Sequence, residues 1–318
     1  MQNRRELLKA ASAAAGLAAA GVLIGGESAT AAPRPAAAGP AVTATRRLRS
    51  FTDASGLVNV AVFSYRGSPP QSHWNDQTIR VADGDMVAIG GGAIGAEHPQ
   101  GALLTASYPN DDLSGWTVST KDHVHAQPHE LTAYVIGLKI AGLSRAQLLQ
   151  HIHVARADSG TAPHPEAEAG IPSSTEYALV GGGFRVNWHG DGNLGTATFP
   201  STGSSWKSRS KDHLVSDPAS IRSFAISLRR NLPVGRVLNT IARSDSGQVA
   251  HPSAVATLPP GYALTGGGAE VRYRGDGVLL WRLEPSVSAS PSFSASAKDH
   301  GVSDTATLTA YALGIRIA

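Results

Sequence analysis

The sequence predicts an all-β protein built of three repeats, each of about ninety residues and about five strands, arranged around a pseudo-three-fold axis. A linear stack of the three repeats is the alternative arrangement. Three observations lead to this class. Helix-period apolar stripes are missing, and the apolar blocks are short, β-branched or aromatic, and bounded by Gly, Pro, Asp and Ser. Glycine triplets recur in MVAIGGGA (86–93), YALVGGGF (177–184) and YALTGGGA (262–269). An aromatic residue, a four-residue spacer and Lys-Asp-His recur as WTVSTKDH (116–123), WKSRSKDH (206–213) and FSASAKDH (293–300). Such a unit is too large for a propeller blade of roughly 40–45 residues.

The elements follow in order. The chain opens with Arg4-Arg5-Glu6-Leu7-Leu8-Lys9, an Ala/Gly-rich run to Ile24, and Ala29-Thr30-Ala31. An apolar stretch of about 15 residues is shorter than the about 20 of a membrane span, and with its basic start it describes a signal peptide. The RRxLLK pattern resembles a twin-arginine export signal, and the resemblance implies that the chain crosses the membrane already folded. Residues 1–31 are therefore expected to be a signal peptide of a secreted, extracellular protein. Residues 32–46, rich in Ala, Pro, Gly and Thr, read as a disordered linker. The remainder, 47–318, reads as one β domain with repeats at 47–141, 142–231 and 232–318. It has no cysteine, so no disulfides, and must be held by its core.

Within each repeat the glycine triplet follows an apolar strand start. It lacks the GxGxxG or GK[ST] of a nucleotide loop and reads as a bulge or close backbone crossing. Next come LLTASYP, LGTATFP and LLWRLEP, then the KDH block, then LTAYVIGLK, IRSFAISLR and LTAYALGIR. In these last strands Tyr134, Ile136 and Leu138, and their counterparts Phe224, Ile226, Leu228 and Tyr311, Leu313, Ile315, alternate with a second face and are assigned to the core. A short helix is expected only at 144–150. The GGGA and AYA blocks resemble those of secreted actinobacterial repeat proteins, a resemblance that implies the repeat fold alone.

Alternation along the KDH strand puts Trp116, Trp206 and Phe293 inward and the lysines and histidines on the opposite, exposed face. Lys121, His123, Lys207, Arg209, Lys211, His213, Lys298 and His300 are thus ligand-binding candidates. His73, His164 and His251, at a nearly fixed distance before each glycine triplet, join them as a second histidine per repeat. Asp122, Asp212 and Asp299 suit a structural role, accepting turn N–H groups or orienting the adjacent histidine. Convergence of His123, His213 and His300 would instead make a three-imidazole metal site of the zinc type; otherwise no cofactor is expected.

These groups point to a multivalent binding protein for an extracellular anionic or hydroxylated polymer, such as a cell-surface glycan, with repeat two the strongest site because Lys207 and Arg209 extend its basic face. The alternative is a carbohydrate-active enzyme: a polysaccharide lyase using Lys and His, or a metal-dependent hydrolase. No nucleophile elbow supports acyl transfer. A formal charge of +3 gives no polyanion-seeking field, and neither nucleic acid nor a membrane span is expected.

Overall fold

Short apolar blocks separated by turn formers can bury their faces only by pairing into sheets. In the computed structural model, which describes residues 41–43 and 46–318, they do so. The expected signal peptide lies outside the described residues, as does most of the expected linker. Within that linker, β1 (Ala41–Thr43) is a strand, which corrects the expectation of disorder at those residues. β2 (Arg46–Thr52) follows.

Repeat one comprises β3 (Val58–Gln71), β4 (His73–Arg80), β5 (Val87–Ile94), β6 (Leu103–Pro109), β7 (Gly115–Lys121) and β8 (His129–Ile140). After it comes α1 (Arg145–Gln150), which begins where Ser144 and Gln147 form a capping box. Repeat two comprises β9 (Ile152–Asp158), β10 (Glu166–Gly170), β11 (Tyr177–Asn187), β12 (Leu194–Thr202), β13 (Ser205–Lys211) and β14 (Ser220–Arg229). The short β15 (Asn231–Leu232) leads into repeat three: β16 (Gly235–Asp245), β17 (Ser253–Thr257), β18 (Ala263–Arg272), β19 (Leu279–Pro285), β20 (Ser292–Lys298) and β21 (Thr307–Ile317). Each repeat therefore has six strands rather than five. The missed one, β4, β10 or β17, is short and carries the recurrent histidine at or just before its start.

Three seven-stranded sheets result, ordered β1-β4-β7-β6-β11-β14-β9, β10-β13-β12-β18-β21-β16-β15 and β17-β20-β19-β5-β8-β3-β2. Pairing is antiparallel except for β1 with β4. Every sheet joins three strands of one repeat to three of another, and no repeat owns a sheet. A strand of the last repeat, β19, pairs with β5 of the first, which a linear stack does not do. The two halves of each repeat lie in different sheets and pack on each other, as β13 does on β14 and β20 on β21.

The glycine triplets make this junction possible. A Cβ on the first glycine would meet a neighbouring repeat's backbone: on Gly181 it would lie 2.4 Å from the Ile89 carbonyl oxygen. On the second it would enter the aromatic ring of the KDH strand, as Gly182 would at 2.2 Å from Trp206. On the third it would strike the adjoining strand of another repeat, as Gly183 would at 2.2 Å from the Ser107 carbonyl oxygen. A register shift falls just before the first glycine in all three copies, so the triplet also carries a bulge.

Trp116, Trp206 and Phe293 are buried as expected. The last strands differ from expectation in one respect: Ala133 and Val135, on the face opposite Tyr134 and Ile136, are equally inaccessible. β8 lies inside its sheet with both faces covered, so alternation there does not separate core from solvent.

Candidate functional site

The KDH strands end where the repeats meet, and that position reverses the expected exposure. Lys121, Lys211 and Lys298 are buried, as are His123, His213 and His300. Each lysine reaches the loop that follows the glycine strand of the next repeat. Lys121 Nζ donates to the Gly190 and Asp191 carbonyl oxygens at 3.2 and 2.8 Å and sits 4.2 Å from the Trp188 ring. Lys298 Nζ donates to Glu97 O at 2.8 Å and also to Gln100 O. Lys211 Nζ lies 4.9 Å from the Tyr273 ring. Burial lowers the lysine pKa values against the pull of nearby carboxylates, taking Lys298 to about 8.

The three histidines converge, with ring centroids 5.4 to 5.6 Å apart. Their nitrogens do not share a point. His123 Nε2 is 2.6 Å from the His213 carbonyl oxygen and Nδ1 is 2.7 Å from that of Asp191. His213 repeats the pattern toward the carbonyl oxygens of His300, at 2.5 Å, and Asp276, at 3.0 Å. Both ring nitrogens of His300 are buried without a partner. The three-imidazole metal site is therefore corrected to a ring-to-carbonyl lock between repeats. Burial drives the His123 pKa down, opposed by its two carbonyls, and takes His300, crowded by His123, Lys298 and His213, to about 3.

Immediately beyond each KDH the chain makes a three-residue turn. His125 N donates to His123 O at 2.6 Å and Val215 N to His213 O at 2.7 Å. The central residues Val124 and Leu214 have φ of 59° and 60°, where repeat three has Gly301. An i to i+2 bond closed at positive φ is the strained form of the γ-turn. It holds Val124 and Leu214, with Val215 and Val302, exposed at the end of the assembly.

The aspartates face the other recurrent histidines. Asp122, Asp212 and Asp299 donate their backbone N–H to the residue before His73, His164 and His251, which sets each side-chain pair in register. His73 Nδ1 is 3.3 Å from Asp122, His164 Nε2 3.5 Å from Asp212 and His251 Nε2 3.1 Å from Asp299. The second carboxylate oxygen takes a turn N–H in two copies, from Gln127 and Asp304. These histidines are 42%, 62% and 37% exposed. In sequence the signal was the near-constant spacing of His and Asp; adjacency pointed to the wrong histidine.

Every seam is completed by a different loop. His73 lies 5.7 Å from the Trp188 ring. Near His251 stand Glu97 and His98, neither of which the sequence singled out. The basic stripe of repeat two is not available: Lys207 pairs with Glu166 and Glu168, and Arg209 with Glu166 and Glu270. Lys139, Arg229 and Arg316, the cations that recur on the last strand of each repeat, are engaged elsewhere: Lys139 pairs with Asp85, and the two arginines lie over Tyr177 and Tyr262. No helix among the described residues is long and apolar enough to cross a membrane. No protein-family model matches the chain, and no curated protein matches it.

Proposed function

We propose that this is a secreted, multivalent binding protein for an extracellular hydroxylated or anionic polymer, a glycan, exported by the twin-arginine route. Its binding surface is the end of the assembly where the three seams open. The three repeats are related by a pseudo-three-fold axis through the converging histidines, so the seams face the ligand together. One observation carries this reading: an exposed histidine backed by a largely buried aspartate recurs at all three seams in the same register. The histidine rings, held by their aspartates, offer hydrogen-bonding groups to sugar hydroxyls, while the exposed Val124, Leu214, Val215 and Val302 suit the C–H faces of sugar rings. Separate weak sites on one rigid body gain avidity without any single strong contact. The near-neutral charge argues against nucleic acid as the partner.

Lyase chemistry through the KDH lysines is disfavoured, because two of the three amines are committed to backbone carbonyls and all three are inaccessible. The test is a glycan array of neutral and uronate polymers with wild type, His73→Ala, His164→Ala, His251→Ala and the triple variant. Stepwise loss of retention is expected, and unchanged binding by the triple variant would sink the reading. A parallel ultraviolet assay for unsaturated uronates is expected to stay flat; product that disappears with one histidine would make the protein an enzyme.

A further inference from the structure

The three seams are alike in their histidine–aspartate pair and unlike in what the next loop brings to it. This difference has chemical content at the seam between repeats three and one. There, Glu97 Oε1 lies 3.0 Å from His251 Nδ1 and 3.7 Å from His98 Nε2. The rings of His98 and His251 stack with centroids 5.4 Å apart. Among the described residues, these three are the one group whose ligand atoms all fall within 4.8 Å of one another.

We propose that Glu97, His98 and His251 form a binding site for a divalent transition cation of the zinc type. Two imidazoles and a carboxylate are a ligand set that zinc accepts, with water in the remaining position. The spacing fits as well. For metal–ligand bonds of about 2.1 Å, separations of this size subtend about 90° and about 125° at the ion, on either side of the tetrahedral angle. The ion would sit between Glu97 Oε1 and His251 Nδ1, which already lie 3.0 Å apart, so no ligand atom has to travel far.

His251 is already set for the task. Its Nε2 faces Asp299 at 3.1 Å, which fixes Nδ1 as the free nitrogen and turns it toward Glu97. A carboxylate behind a ligating imidazole is the usual outer support of a bound metal. The loop carrying Glu97 and His98 is held from beneath by the buried Lys298, whose ammonium bonds the Glu97 and Gln100 carbonyls. The other seams serve as internal controls. His73 and His164 have their aspartates, but the positions equivalent to Glu97, seven residues after the first glycine of each triplet, hold Trp188 and Tyr273 in the other repeats.

This inference does not rest on glycan binding, and its test involves no glycan. Untagged protein spanning 32–318 would be titrated with zinc by calorimetry and with cobalt by visible absorption. A single equivalent is expected to bind, with visible cobalt bands characteristic of a low-coordinate site. His98→Ala, an exposed change that leaves the fold intact, and Glu97→Gln should each remove it. Asp299→Asn, acting through His251, should weaken affinity about 10- to 100-fold. His164→Ala should bind as wild type does. Failure of wild type to bind, retention of the ion by His98→Ala and Glu97→Gln, or an equal loss in His164→Ala would overturn the proposal.

Discussion

Lysine at the end of the KDH strand is a structural donor, and its energetics differ from those of a surface charge. Lys121 is enclosed, with its ammonium on two carbonyls of another repeat and against the Trp188 ring. Removing the donor takes its hydrogen bond from the Gly190 carbonyl and leaves the Asp191 carbonyl with His123 alone, in a water-poor place, a loss set by desolvation rather than by Coulomb attraction. Lys121→Met, which keeps most of the stem, is expected to cost about 2–4 kcal/mol in denaturant unfolding. Added salt should change that loss little, because the site is not screened. A loss below about 0.5 kcal/mol, or one that disappears at high salt, would return Lys121 to the role of a surface charge. The strained turn beside it is a second local feature: two copies hold a branched residue where the third has glycine, which costs roughly 1–2 kcal/mol at each non-glycine position.

At the level of the strand, the triplet glycines separate two kinds of crowding. A methyl on Gly182 meets the Trp206 ring, a side chain, besides the Phe224 carbonyl oxygen; a methyl on Gly183 meets Ser107 backbone. Both alanine variants are expected to lose roughly 3 kcal/mol or more, since overpacking in a closed junction has no outlet. They should differ in rescue. Shrinking the ring with Trp206→Leu should recover part of the loss in Gly182→Ala and none in Gly183→Ala, where the obstacle is main chain. Additive losses in both double variants, measured by thermal unfolding, would mean that the ring does not decide the spacing. The same elements show what was readable beforehand. The triplet was recognisable as a close crossing because no nucleotide motif surrounded it. Which glycine answers to a ring and which to a neighbouring repeat needed the sheet order.

For the whole molecule, shared sheets have a direct consequence. Deleting residues 232–318 removes strands from two sheets and leaves β5 and β12 facing water where their partners had been. In a linear repeat array a terminal unit can be lost with the others intact; here the truncated chain is expected not to fold, as judged by circular dichroism and proteolysis. A protected fragment would show that two repeats are self-sufficient. Acid should act on the same centre. The unfolded chain binds a proton at His300 near the ordinary 6.5, and the folded chain only at about 3. Between these values the unfolded state holds more protons, so stability falls as pH drops from 6.5 toward 3, by up to about 1.4 kcal/mol per unit for one group. Burial moves His123 and His129 in the same direction. His300→Asn, even if less stable at neutral pH, should flatten this dependence; an unchanged slope would place the acid sensitivity elsewhere.

The sequence by itself determined the β class, the threefold recurrence, the inward aromatics and the short helix expected at 144–150. Each is a local matter: period, turn chemistry and spacing act within a strand or two. It also marked the lysines and histidines of the KDH blocks, but assigned them to solvent, because alternation distinguishes the two faces of a strand without saying what covers either. Only the tertiary structure decided that. By pairing half of one repeat with half of another, it buried both faces at the junction, enclosed the lysines and histidines, and left the aspartates to meet His73, His164 and His251. Glu97 and His98 escaped notice for the same reason. They belong to one loop of one repeat, and their neighbour His251 lies more than 150 residues away in the chain, so only closure of the last repeat onto the first brings them together.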